Sequence, residues 1–202
     1  KYVAWCWNTQ GGAGSANTDG DINTTTTSVG TTQGFSISTY QASGTNGNTL
    51  GHGLGAVPGL YIIKNRDTTD NWRVYHSGNT SAPETEFLGL NVANATEDDA
   101  GMTNDVAPTS SVVSLGSMVE LNTSGENYVM YAWAPKSGYS RFGSYEGNGH
   151  AAIAAGGTFV YTGFRPAFVM TKSIDSTSDW QIFDNKREGY NVDNDALVWN
   201  DT

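Results

Sequence analysis

The apolar positions of the chain come in short bursts separated by runs of Gly, Ser, Thr and Asn. "GLYIIK" (59–64) and "AFVMTK" (167–172) each follow a Gly-x-x-Pro turn, Gly55 to Pro58 and Gly163 to Pro166. Proline fixes φ and lacks an N–H, so it suits the mouth of a strand and not its interior. "NWRVYH" (71–76) alternates, with Trp72, Val74 and His76 on one face and Arg73 and Tyr75 on the other. "DWQIFD" (179–184) repeats that alternation with Trp180, Ile182 and Asp184. Between these bursts, "RDTTDN" and "IDSTSD" supply side chains that bond nearby backbone and favour turns. "SSVVSLG" (110–116) and "SMVEL" (117–121) predict further strands, and "NTSGENYVMYAW" (122–133) places a Ser-Gly turn before another. No stretch holds a helical period for three turns. Many short strands with Gly-rich turns predict an all-β sandwich or jelly roll.

The bursts are also duplicated. At a constant offset of 108 residues, Gly55, Pro58, Lys64, Asp67, Thr69 and Trp72 match Gly163, Pro166, Lys172, Asp175, Thr177 and Trp180 without a gap. "FSISTYQA" (35–42) resembles "SRFGSYEG" (140–147), "EFLGLN" (86–91) resembles "DALVWN" (195–200), and "YVMYAW" (128–133) resembles "YVAWCW" (2–7). This order predicts three pieces. Residues 1–33 hold the last strand of a preceding segment and a Gly/Thr-rich linker. Residues 34–135 form a first β unit, and residues 136–202 a second, C-terminally truncated one. The chain is expected to be part of a longer polypeptide. Its two units are expected to pack as one sandwich around a shared interior.

Composition narrows the function classes. The net charge of −10, with only 10 Lys and Arg, repels phosphate backbones and argues against nucleic acid as a partner. No apolar run is long enough to span a bilayer, so membrane insertion is not expected. The single cysteine, Cys6, excludes an intrachain disulfide and is expected as a packed thiol in a strand.

The ordered motifs "NTDGDI" (17–22), "GFSISTY" (34–40), "GHGLGAVP" (51–58), "IIKNR" (62–66), "ENYVMYAWAP" (126–135), "GYSRFGSYEGNG" (138–149) and "FVYTGFRPAFVM" (159–170) add a resemblance. In this order they resemble a family of virion proteins of marine tailed phages. The resemblance implies a concanavalin A-like (LamG-type) jelly roll from a tail fibre or related appendage, located on the virion and so extracellular. It implies association with other virion proteins and with copies of itself, a trimer first. It carries over no catalytic or binding residues. The chain departs from that family at Asp21, where a small polar residue is more usual.

Candidate sites follow from residue chemistry. A sugar site needs aromatic faces beside planar polar groups. Trp180, Asp184, Arg187 and Tyr190 offer both, in a loop ("DNKREGYN", 184–191) that diverges from its counterpart "HSGNTSA" (76–82). Against this, Trp72 and Trp180 occupy the same place in both units, as core residues would. Asp19 and Asp21, spaced like the start of a calcium loop, and Asp193 and Asp195 are oxygen clusters for a possible Ca²⁺; the bland reading is solvated turns. His52, His76 and His150 are isolated and expected as surface polar residues. Neither an alternating catalytic carboxylate motif, a Gly-x-Ser-x-Gly elbow nor a phosphate loop is present. The expected function is a non-catalytic virion β-sandwich contacting host glycans. The alternatives are a bacterial lectin-like adhesin with the same fold and a glycan-degrading enzyme with an unconventional site.

Overall fold

The computed structural model describes residues 4–9, 12–149, 156–186 and 196–200. It is nearly all β. The main layer is an antiparallel sheet of seven strands: β1 (Thr26–Gly30), β2 (Phe35–Gln41), β4 (Leu60–Asn65), β5 (Arg73–His76), β6 (Glu86–Gly89), β7 (Glu97–Asp98) and β9 (Asn127–Trp133). Their spatial order is β1-β2-β9-β4-β5-β6-β7. β9 is thus the central strand, pairing β2 on one side and β4 on the other. A two-stranded sheet of β3 (Thr49–Gly51) and β8 (Val112–Ser114) lies over one face of the main layer.

Alternation decides what each face buries. Tyr40, Tyr61, Ile63, Tyr75, Phe87, Tyr128 and Met130 point to one side and meet Ile22, Leu50, Met102, Val113, Leu115 and Leu121 in a single cluster. Its tyrosines are cross-strand pairs. Tyr40 stacks on Tyr128 at 5.3 Å and Tyr61 on Tyr75 at 4.7 Å between ring centroids. Such opposed pairs are the unit by which a sheet gains stability. The Tyr40 hydroxyl donates to Leu121 O (2.8 Å) and the Tyr128 hydroxyl to Val119 O (2.6 Å).

Those carbonyls belong to a short helix, α1 (Val119–Asn122), so "SMVEL" is a correction: it is one helical turn and not a strand. The two tyrosine hydroxyls help satisfy the carbonyls at the helix end, where Val119 O also accepts from the Thr123 hydroxyl at 3.2 Å. Arg73 of β5 pins the same turn through an ion pair with Glu120, its guanidinium lying 4.5 Å above the Phe87 ring.

The opposite face of the main sheet carries Leu60, Ile62, Val74, Leu88 and Leu90, with Trp72 and Trp133 beside them. The second unit covers this face. Its sheet has the order β10 (Phe168–Thr171), β11 (Gln181–Asp184), β12 (Leu197–Val198). The pairings repeat those of the first unit at the same offset of 108: Leu60 opposes His76 as Phe168 opposes Asp184, and Ile63 opposes Arg73 as Thr171 opposes Gln181. Fine contacts repeat too. The Trp72 N–H donates to Asn91 Oδ1 and the Trp180 N–H to Asn200 Oδ1, both at 2.9 Å. Lys64 Nζ donates to Asn65 O and Lys172 Nζ to Ser173 O, both at 2.7 Å.

The two copies meet through equivalent faces. Met170 and Trp180, counterparts of Ile62 and Trp72, join the cluster that Ile62 and Trp72 form. The Trp180 Nε1–H donates to Gly89 O at 2.8 Å, and Ser178 N and Lys172 Nζ donate to Ala93 O. Apolar burial is therefore divided: one cluster inside the first unit, a second between the units.

One other expected strand is a correction. Residues 140–147, which resemble β2 in sequence, form no strand. Residues 4–9 have no regular secondary structure, and Cys6 is exposed and not packed. Among the described residues, no helix is long and apolar enough to cross a membrane.

Candidate functional site

The sequence-predicted sugar patch divides between core and rim. Trp180 is 4% exposed, and packing on both sides leaves no ring face for a sugar. Asp184 ends β11 half-buried; its Oδ1 accepts from Lys186 N (2.9 Å) and its Oδ2 from Trp5 Nε1 (3.3 Å). Arg187 and Tyr190 lie outside the described residues.

The acidic candidates act as loop staples. Asp21 Oδ2 accepts from the Thr49 N–H (3.0 Å) and hydroxyl (2.8 Å), tying the 17–24 loop to β3. Those bonds, the hydroxyl first, hold its carboxyl below the ordinary carboxylate range. Asp19 Oδ2 accepts from Asn17 Nδ2 (2.9 Å). Asp193 and Asp195 lie outside the described residues, and among the described residues no three His, Cys, Asp or Glu side chains gather as a metal site would require. The same stapling recurs at Asp67, whose Oδ2 accepts from the backbone and side-chain N–H groups of Asn127.

Two histidines differ from expectation. His52 is fully buried: its Nδ1 accepts from Leu54 N and its Nε2 donates to Thr109 O, both at 3.2 Å. These partners assign the neutral tautomer, and burial lowers its pKa, opposed by the Thr109 carbonyl and Asp19. His76 is half-buried, with Nδ1 accepting from Gly78 N (3.0 Å), and burial lowers its pKa too. His150 lies outside the described residues.

A concave surface lies elsewhere, in the second unit where it joins the first. A shallow cleft of about 510 Å³ is lined by Lys136, Arg141, Phe142, Tyr161, Thr162 and Phe164, with small residues between them. A tight turn builds one wall, where Ser140 O and Oγ both accept from Lys136 N (3.1 Å). Phe142 is seated against Gly59, where a Cβ would meet its ring at 2.7 Å; glycine is the residue that admits this approach. At its rim Tyr161 is 68% exposed, and Tyr139 (54%), Tyr145 (55%) and Phe159 (85%) are exposed near the lining residues in the sequence.

Charged groups and hydroxyls line the cleft. Its charged lining residues are the cations Lys136 and Arg141, in a chain of net charge −10. Hydroxyls come from Ser137, Ser140 and Thr162. No carboxylate, imidazole or thiol is among the described residues that line it. Sequence reasoning missed this cleft. Its signal was a set of aromatics from Tyr139 to Tyr161 without strand alternation.

A family model described as a domain of unknown function (DUF7483) matches residues 1–202. No curated protein and no solved structure matches the chain.

Proposed function

We propose that this chain, which belongs to the DUF7483 family over its whole length, is a non-catalytic β-sandwich module of a phage tail fibre or related virion appendage, contacting host-surface glycans through the cleft lined by residues 135–142 and 161–164. The finer fold, a concanavalin A-like jelly roll with sequence-related halves, is part of the proposal. So are its place on the virion, outside the cell, and its assembly with copies of itself and other virion proteins. The virion assignment is supported by the order of motifs along the chain.

One observation supports the binding half: a cleft lined by Phe142, Tyr161 and Phe164 whose charged lining residues, Lys136 and Arg141, are both cations. Aromatic faces stack on sugar C–H groups, while Arg and Lys pair with carboxylate or sulfate substituents. The expected ligand class is therefore an acidic glycan, held without turnover.

The test is retention on immobilised acidic and neutral polysaccharides, with reducing ends counted in the same samples. Acidic chains are expected to retain the protein, with retention falling about ten-fold in Tyr161→Ala or Arg141→Ala, as loss of about 1.4 kcal/mol implies. Unchanged retention in both variants removes the cleft from the site. New reducing ends overturn the non-catalytic reading.

A further inference from the structure

In the first unit β4 is flanked by β5 on one side and β9 on the other. In the second unit, β10, the counterpart of β4, is flanked by β11 and stands at the sheet edge among the described residues. A sequence that resembles β9 precedes β1: "YVAWCW" at 2–7 against "YVMYAW" at 128–133.

The described part of that segment lies at the open edge. Trp7 and Trp5 both meet the Phe168 ring edge-on at 5.5 Å. Trp5 Nε1 also reaches Asp184, which is the β11 residue opposite Phe168. The repeat supplies a register for this segment. In the first unit Trp133 opposes Leu60, Tyr131 opposes Ile62 and Ala132 opposes Tyr61. Carrying these pairs over by the two offsets places Trp7 opposite Phe168, Trp5 opposite Met170 and Cys6 opposite Val169.

Ala132 and Tyr61 point into the tyrosine core. In this register their counterparts Cys6 and Val169 share one face of a sheet that has no β3–β8 layer over it among the described residues, and Cys6 is exposed and Val169 39% exposed. Trp7, the counterpart of Trp133, lies 6.1 Å from Trp133 at the margin of the inter-unit cluster and keeps 40% of its surface exposed.

We propose that the edge of β10 is a docking site for the segment around Ala4–Trp7 of the same chain. This segment acts as the closing strand of the C-terminal sheet, antiparallel to β10 with Trp7 opposite Phe168. An open strand edge is an aggregation template, and this arrangement covers it.

Cysteine trapping tests the register, using the native Cys6. Directly opposed residues hold their Cβ atoms ~4.5–5.5 Å apart and diagonal ones ~7–8 Å, while a disulfide needs ~3.5–4.5 Å. The full chain carrying V169C is oxidised mildly and its peptides mapped. A second variant, C6S with A4C and T171C, samples the next pair of the same register; C6S with A4C and V169C samples a diagonal. Both opposed pairs are expected to close within one chain about ten-fold faster than the diagonal, as a difference of about 1.4 kcal/mol would give, with circular dichroism confirming that each variant is folded. Disulfides between two copies would assign the donor strand to a neighbouring chain and overturn the proposal. Failure of both opposed pairs to close in folded protein, or closure of the diagonal at the same rate, would also overturn it.

Discussion

Replacing Trp180 with Ala separates a core tryptophan from a sugar-stacking one. The side chain is 4% exposed, sits between the two units among Leu88, Leu90 and Trp72, and donates Nε1–H to Gly89 O at 2.8 Å. Truncating a buried Trp to Ala costs about 3–5 kcal/mol in lost transfer energy and residual cavity. Loss of the hydrogen bond, which leaves the Gly89 carbonyl short of a partner, is worth about 1 kcal/mol of that. Trp180→Phe keeps most of the ring and loses the bond, for about 1–2 kcal/mol. The sheet that Trp180 anchors has strands of 4, 4 and 2 residues. The tyrosine core is a separate cluster on the far face of the main sheet. Urea denaturation followed by far-ultraviolet circular dichroism is therefore expected to show an early step in Trp180→Ala, from release of the C-terminal sheet, and a main step near the parental midpoint. A loss below about 1 kcal/mol in Trp180→Ala, with glycan retention abolished, would refute the reasoning and return Trp180 to the binding site.

Four further outcomes follow from the same contacts. Burial lowers the pKa of His52 and His76 from 6.5, so the unfolded chain binds more protons: stability is full above about 6.5 and falls as pH drops through the depressed folded values. Urea midpoints across this range should slope, and less so in His52→Gln; a flat profile contradicts the buried neutral imidazole. Burial raises the pKa values of Tyr40, Tyr61 and Tyr128 and pushes Tyr75 up to about 12, so an absorbance titration should count fewer than the 10 tyrosines until the fold is lost; all ionising together near 10 would contradict the stacked core. Glu120→Gln leaves the Arg73 guanidinium without its counter-charge at a largely buried site and should cost about 2–3 kcal/mol by urea denaturation, less than the full buried-pair figure because both side chains keep some solvent contact. Asp21→Ala should lower the thermal midpoint equally with calcium and with a chelator, since the carboxylate bonds Thr49; a loss seen only with calcium would make the 17–24 loop a metal site.

Much of the strand pattern was legible because it rests on local chemistry. Pro58 and Pro166 mark the approach to β4 and β10, and alternation in "NWRVYH" sorts Val74 from Tyr75 onto the faces that the two clusters occupy. The duplicated residues correspond to duplicated contacts, down to the Asn91 and Asn200 side chains that receive the Trp72 and Trp180 amides. The parts that were not legible depend on distant partners. His52 reads as a turn residue until Thr109, far along the chain, supplies a carbonyl to its ring. "SMVEL" has too few residues for its period to tell helix from strand, and tyrosines of β2 and β9 cap it. A repeat announces that two units are alike and does not say which faces meet. Equivalent faces meet here, so the copies share the cluster around Trp72 and Trp180 and not the tyrosine core. The aromatic lining of the cleft escaped notice because a tyrosine reads the same in a core and on a surface.

The most direct test of this arrangement is peptide-resolved amide hydrogen exchange on the intact chain. β2, β4 and β9 should exchange slowest, at the free energy of global unfolding. β10 and β11 should be protected at a lower, common free energy, and loss of that protection in Trp180→Ala should speed exchange of the outward-facing main-sheet strands β5 and β6 without reaching β2. Exchange of β10 and β11 at the rate of unstructured peptide in the parental chain would contradict the account, because the outer face of the main sheet would then be bare.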